Sequence, residues 1–506
     1  MRNVIIAVLA VALAASWAWF LTAERGRVAL QRDRTAPVDI EDTVTVWVNE
    51  LVGSPDEAYY YELQDLWNAS HPNVKMKMCV MSHAGYQSKL RVAIASGQPP
   101  DVCMGGLETL EGLKYSGKSA DLAVPIPRDL FPDEELDRMG RVVKETIMRD
   151  GRPTVFPIWR CSYGGVILAN RQMLEEAGFD DEQIRRQGWT FDQFRETCRR
   201  MTRDTDGDGV ADTWGFGAAR VHFQHLFLNE FGPGVWGREI ARENFIKKDE
   251  ATGAWTIDPA LTEDHIYETF LLFHQLLNED KVWDPATLGM NWNEIIDEVV
   301  VRRRIGMIFG ETPWVAKLRR EIWEADKAMG ANVESAAGGP PDLTVIWMPT
   351  LKAGDYPAPR ASVMGFSVLK QLPYKGDAHT ENALRVAQFL THPVHLARSQ
   401  LRRFRHLPPD PIRFGAIYPE LLHSDDPWVK FYNEIMDSDL PLVGPVLSQS
   451  DPSLPQYLRL RSDIDQWLEK EGIGFLEQIA YKKITPHEGA HRFYEALKAV
   501  GEHREQ

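Results

Sequence analysis

The sequence is short of the features that most chemistries need. Four cysteines, at positions 79, 103, 161 and 198, are spread over 506 residues, and no two stand at the spacing of a metal site. Basic residues are outnumbered, 57 Lys and Arg against 73 Asp and Glu, for a formal net charge of -16. A surface of that sign offers nothing to replace the counterions of a phosphate backbone, so a nucleic-acid partner is excluded. Internal repeats and long low-complexity segments are missing, which leaves an ordinary folded chain. No paired acidic motif stands at strand ends, so the two-carboxylate machinery of a carbohydrate-active hydrolase has no support. No cofactor is expected.

What is present points to a large α/β protein. With 44% hydrophobic residues the chain can bury a large core, and its length exceeds one typical domain, so at least two lobes are expected. Val4 to Leu21 is apolar apart from Ser16 and follows Arg2, a run long enough to span a bilayer. Residues 1–23 are therefore expected to be a signal peptide or membrane anchor, and residues 24–42 a polar linker. No cysteine follows the run, so a lipoprotein anchor is not expected there. Either alternative puts the remainder in the periplasm or another extracytoplasmic space, possibly tethered to the inner membrane. In such a compartment Cys79 and Cys103 could pair, or both could be buried thiols.

His71 to Gly106 is the most informative stretch. Val74, Met76, Met78 and Val80 alternate with Lys75, Lys77 and Cys79, the period of a strand. Tyr86, Leu90, Ala93 and Ile94 share a helical face, which Gly97, Pro99 and Pro100 stop. Asp101 to Met104 then reads as a second strand opening onto Gly105 and Gly106. The carboxyl end of such a strand is where ligands bind in open α/β sheets. Upstream, Val44, Val46 and Val48 alternate with Thr45 and Trp47, and Ser54, Pro55 and Glu57 make a helix start.

This run of HPN, Tyr86, a Lys-Leu helix, a glycine stop and Pro-Asp-Val resembles the first lobe of the family 1 extracellular solute-binding proteins. These are carbohydrate receptors of ABC importers related to maltose-binding protein. The resemblance continues through Gly151–Asn170, similar to a first crossover between lobes, and through MLEEAG ending at Gly178. Trp189-Thr190 resembles the family's helix start, and Ile305–Phe309 ends in Gly310 with Trp314 four residues on. Thr344–Lys352 resembles a second crossover, Ser362–Leu369 a glycine-containing strand with Met364 in place of the first glycine, and Arg405–Pro408 a third crossover.

The resemblance implies a type II periplasmic-binding-protein fold, two lobes of mixed sheet flanked by helices and joined by three crossovers. Lobe 1 would comprise residues 43–155 and 350–405, lobe 2 residues 156–349 and 406–506. It implies binding without catalysis, a sugar or sugar-like ligand, ABC importer membrane subunits as partners, and a monomer. The alternatives are a carbohydrate-active hydrolase and a membrane-anchored solute sensor that does not deliver. The ligand contacts it suggests are Trp47, Glu50, Tyr86, Glu108, Trp159, Tyr163, Trp214, Trp292, Trp314, Met364 and Arg405. Their chemistry suits the role, since a carboxylate bridges adjacent hydroxyls and an aromatic ring covers sugar C–H faces. Asp204, Asp206, Asp208 and Asp212 fit the first nine places of an EF-hand loop, but the twelfth is Gly215, where a bidentate Glu is needed. A polar turn is the expectation, with a weak calcium ion as the alternative. His222, His225 and His265 have no metal-ligand spacing and read as solvated or core histidines, and Cys198 as core.

Overall fold

The computed structural model of the chain describes residues 40–49, 55–81, 83–105, 123–163, 165–242, 245–290, 294–295, 298–299, 302–309, 342–352, 354–355, 357, 359–371, 373–392, 395, 430–431, 434–435, 438 and 453–502. The elements that position the site are, in chain order, β1 (Asp42–Asn49), α1 (Pro55–Ser70), β2 (Val74–Met81), α2 (His83–Ala95), β3 (Val102–Gly105), α3 (Arg141–Ile147), β4 (Phe156–Tyr163) and β5 (Val166–Asn170). They continue with α4 (Phe191–Met201), β6 (Trp214–Phe216), α5 (Glu263–His274), β7 (Ile305–Phe309), β8 (Leu343–Trp347), β9 (Arg360–Val368), α6 (Asp377–Leu390), α7 (Leu454–Trp467) and α8 (Pro486–Glu502).

Two sheets organise the chain. The first has the order β2-β1-β3-β9-β4 and the second β8-β5-β7-β6. In the first, the period-two alternation of β1 sends Val44, Val46 and Val48 to one face, where they pack with Tyr59, Leu63 and Trp67 of α1. The other face receives Trp47 and Cys103, packed with Tyr86, Leu90 and Ile94 of α2. The two helices thus cover opposite faces, as two successive right-handed crossovers require when β2 and β3 flank β1.

Helix α1 also closes the outer edge of β2. Asn68 accepts from Met76 N–H at 2.7 Å and donates to Met76 C=O at 3.1 Å, and Gln64 accepts from Met78 N–H at 2.7 Å. Polar groups that a sixth strand would otherwise engage are satisfied by side chains.

The second core gathers β5, β7 and β8, the α4 face formed by Phe191, Phe194, Cys198 and Met201, and the C-terminal helices. Thr190 caps α4 with a full capping box to Gln193. Rings of Phe227, Phe270 and Trp467 surround Phe493 of α8 at 4.8–5.4 Å. Helix α3 serves both cores: Val142 joins the second, whereas Val143 and Ile147 join the first.

The crossings lie later than the sequence suggests. All of β4 is paired with β9 in the first sheet, from Phe156↔Phe366 to Tyr163↔Arg360, so the first lobe retains the chain through Tyr163 rather than ending at 155. On the return path Thr350 bridges Thr190 and Leu351 N–H donates to Gly234 C=O, which keeps the chain with the second sheet beyond 349. Between Tyr163 and Val166 sits Gly165, at φ 81°. A Cβ placed there would lie 2.7 Å from Pro359 Cβ, so the outgoing and returning chains touch at this glycine. The third expected crossover, the N-terminal apolar run and the linker through residue 39 lie outside the described residues, and the linker's expected last residue, Asp42, is the first residue of β1. Among the described residues no helix is long and apolar enough to cross a membrane.

Candidate functional site

Strand direction locates the site. β1 runs parallel to β2 and β3, and β9 runs antiparallel to both β3 and β4. The carboxyl ends of β1, β2, β3 and β4 therefore share one edge. In the second sheet β5 is antiparallel to β7 and β8, and β6 is parallel to β7. The carboxyl ends of β6, β7 and β8 therefore share an edge with the start of β5. Gly165 joins these two edges, so the loop-bearing ends of both sheets border the crossings, the arrangement that makes a ligand cleft.

On the first sheet Trp47 is partly buried near the carboxyl end of β1, packed on the α2 cluster. Tyr86 does not reach a ligand position: it is 1% exposed. Its hydroxyl donates to Met104 C=O at 2.7 Å and to Trp47 C=O at 3.3 Å. Burial holds this phenol well above its usual pKa range, with smaller contributions from Cys103 and Cys79. Its task is to tie α2 to the ends of β1 and β3, which sets the rim from behind. The reason is the helical spacing that already grouped Tyr86 with Leu90 and Ile94, a core-facing stripe.

Met364 is partly buried against the first core and is the cross-strand neighbour of Trp159. The β4–β9 register shifts between Met364 and Gly365, and a Cβ on Gly365 would meet Phe156 C=O at 2.1 Å. The second glycine of the pair is thus demanded by close backbone approach, while the first position tolerates Met. Trp159 and Tyr163 enter as positions on β4. Glu50, Glu108, Trp292, Trp314 and Arg405 lie outside the described residues.

On the second sheet one expected contact is misplaced. Trp214 begins β6, pairs with Ile305 at the start of β7, and donates its N–H to Arg304 C=O at 2.7 Å. It therefore sits at the amino end of these strands, away from the crossings. Strand direction, which a single sequence does not display, takes this expected contact away from the crossings. Beyond the carboxyl end of β6, in the turn Arg220–His222, lies His222, expected from the sequence to be a solvated or core histidine. Its ring meets Phe309, the last residue of β7, edge-on at 5.1 Å. Burial pushes its imidazole down to about 4, with His225 adding to the effect, so the ring is neutral at pH 7. The signal in the sequence is its place a few residues after Gly217, which follows the strand.

The acidic loop is also at the far end, closed by the Arg203↔Thr213 bridge. Asp204 accepts from Gly207 and Gly209 N–H groups, Asp206 from Asp208, Asp208 from Val210, and Asp212 from the Thr205 N–H and hydroxyl. Asp204, Asp206 and Asp208 form the only group of three possible ligands among the described residues, and all are exposed. The twelfth place, Gly215, cannot take a glutamate, because a Cβ would lie 2.3 Å from Cys198 C=O.

A disulfide between Cys79 and Cys103 is not formed. Both are paired with Trp47, from opposite sides of β1. Two strand spacings separate them by roughly 9–10 Å, beyond disulfide reach. Cys79 is exposed and Cys103 buried. Among the described residues Asp284 and Glu298, 2% and 1% exposed, are two buried carboxylates that share Arg304, and Glu298 also pairs with Arg302. Burial raises the Asp284 pKa above the ordinary carboxylate value.

Known proteins agree with this geometry. The profile of the bacterial extracellular solute-binding proteins matches residues 53–393. Among solved structures, a maltose/maltodextrin-binding MalE domain from Bdellovibrio bacteriovorus, bound to maltotriose, is 17% identical with a TM-score of 0.56; the match covers 91% of this chain and 99% of that one. An ABC substrate-binding protein from Listeria monocytogenes in complex with cycloalternan is 15% identical with a TM-score of 0.55, at the same coverage. The GacH receptor of Streptomyces glaucescens, solved unliganded and with acarbose, is 14% identical with a TM-score of 0.54, again covering 91% and 99%. At these identities the likeness is one of fold. An uncharacterised lipoprotein of Streptomyces antibioticus is 33% identical over 99 residues, 19% of this chain and 22% of that protein, so the match spans about a fifth of its length.

Proposed function

Because the chain belongs to the family of bacterial extracellular solute-binding proteins, whose profile matches residues 53–393, we propose that it captures a carbohydrate between its two lobes and hands it to an ABC importer. The observation that carries this reading is that the carboxyl ends of β1–β4 and of β6–β8 both border the Gly165 crossing. Lobe 1 comprises residues 43–163 with 360–405, and lobe 2 residues 165–355 with 406–506. Ligand contacts on both lobes favour the closed arrangement, so capture is a population shift toward it.

The ligand contacts we assign are Trp47, Glu108, Tyr163, His222, Trp292 and Trp314, with Glu50, Trp159, Met364 and Arg405 as further candidates. Indole rings cover C–H faces of a pyranose, Glu108 bridges a diol, and neutral His222 hydrogen-bonds one hydroxyl. The choice of a sugar draws support from the maltotriose, cycloalternan and acarbose held by proteins of the same fold. None of the assigned residues performs covalent chemistry. The protein works as a monomer outside the cytoplasm, and residues 1–23 either direct export or hold it at the membrane.

A thermal-shift panel of maltotriose, acarbose, other oligosaccharides, monosaccharides, sugar phosphates and polyols tests this. A ligand at a hundred times its dissociation constant stabilises the fold by about 2.7 kcal/mol. One or more sugars should raise the melting temperature without being hydrolysed; a panel with no shift overturns the carbohydrate assignment, and turnover overturns the receptor reading.

A further inference from the structure

At the amino ends of the first-sheet strands, the edge opposite the crossings, lies a buried charge cluster that ligand capture does not use. Its centre is His379 of α6, 4% exposed. Nδ1 is 2.6 Å from Asp42 Oδ1, on the first residue of β1, and Nε2 is 2.9 Å from Asp101 Oδ1, on the residue before β3. Asp101 is itself 1% exposed. It accepts the Thr45 N–H and hydroxyl, both at 2.8 Å, on Oδ2, and Lys375 Nζ at 2.6 Å on Oδ1. Asn382 donates to Asp42 Oδ2 at 3.0 Å.

The ring geometry decides the charge state. A neutral imidazole has one donor and one lone pair, so one carboxylate would face a lone pair at hydrogen-bond distance; only the imidazolium donates to both. We propose that His379 is a proton-operated clamp that fastens the start of β1, where residues 1–41 join the first lobe, and the entry to β3 onto α6. With the proton, the clamp holds both strands. Without it, the Asp42 contact gives way first, because Asp101 keeps Lys375 and Thr45 while, among the described residues, the Asp42 side chain keeps Asn382 and its own turn with the Thr43 N–H.

The titration follows the geometry. Burial alone would lower the His379 pKa, but hydrogen bonds to Asp101 and then Asp42 outweigh it, so it lies above the ordinary value. A raised imidazole contributes its full stability below the unfolded value of about 6.5 and loses it as pH climbs through the folded value. Asp101 is the opposite case: burial would raise it, yet His379, Lys375 and Thr45 hold it well below the usual carboxylate range. Its contribution is present above about pH 4 and is lost only in stronger acid. The clamp is therefore tightest in the weakly acidic range and opens on the alkaline side.

The test uses the full chain labelled with nitrogen-15 at histidine. Wild type should show one imidazole protonated on both nitrogens at pH 7, titrating above 6.5, and absent from the spectrum of His379→Asn. A ring neutral at pH 7, or titrating below 6.5, overturns the proposal, and this reading needs no variant to fold. Hydrogen exchange, corrected for its intrinsic pH dependence, gives the local readout. From pH 6.5 to 9, protection of β1 should fall relative to β5 of the other sheet. The fall should be up to roughly tenfold for each unit by which the His379 pKa is raised. His379→Asn should abolish that relative change, whereas a change that persists in the variant overturns the assignment to His379.

Discussion

Gly165 is the tightest point of the crossing, and its replacement by alanine gives the sharpest check on the architecture. Two costs add. An L-residue in the left-handed region, here φ 81°, costs about 1–2 kcal/mol. A methyl group 2.7 Å from Pro359 Cβ and 3.1 Å from its Cα forces two chain segments apart, a further ~1–3 kcal/mol. Gly151 supplies the control, because it has φ 75° with nothing within 4 Å of an added Cβ. The gain from a less flexible unfolded chain is shared by both substitutions and cancels in their difference. Gly165→Ala should therefore be less stable than Gly151→Ala by about 1–3 kcal/mol. In scanning calorimetry at one pH that is a gap of about 1–3 °C, since an unfolding entropy of roughly 2.1 cal/mol/K per residue over 506 residues gives ~1 °C per kcal/mol. Adding Pro359→Gly, which removes the opposing Cβ, should close much of it. Equal melting of the two alanine variants, or a double variant with no recovery, would refute the close passage of outgoing and returning chain.

Other expectations concern the site and its supports. Trp47→Ala and His222→Ala should each weaken sugar binding about tenfold or more in titration calorimetry, the equivalent of ~1.4 kcal/mol, while Trp214→Ala leaves affinity within about twofold, since ~0.4 kcal/mol is all such a change represents. A comparable loss at Trp214 would sink the strand-end assignment. Tyr86→Phe removes the donor shared by two rim carbonyls and should cost about 1–3 kcal/mol, seen as lower thermal stability; an affinity loss at unchanged stability would instead make Tyr86 a direct contact. A maleimide should label Cys79 in the native protein and reach Cys103, whose thiol burial pushes up to about 12, only after denaturation. A peptide map showing a Cys79–Cys103 crosslink would contradict the strand order.

The fold was legible where the sequence repeats a local rule. Valines at 44, 46 and 48, the Tyr86 to Ile94 stripe and the Thr190 start each specify an element within a few residues, and those elements form as expected. What was not legible depends on direction and neighbours. Nothing local in Trp214 says which end of its sheet it occupies; that follows from its pairing with Ile305, 91 positions further on. Tyr86 was misread for a similar reason, because a tyrosine near a ligand edge looks the same whether its hydroxyl faces outward or is taken by Trp47 and Met104. The crossings were placed early because β4 reads as the start of a new lobe until its long pairing with β9 is known. Cys79 and Cys103 looked close because both follow strand patterns, and only the interposed β1 separates them.

Two amide side chains have a bearing on the company this protein keeps. Gln64 and Asn68 occupy the groups along β2 through which a second copy could extend the sheet from molecule to molecule. Sheets that fused edge to edge would join one copy of the chain to the next. Helix α1 lies against its own strand and denies neighbours that template, so crowding along this face costs the molecule nothing in independence. The seal is intramolecular and does not weaken with dilution.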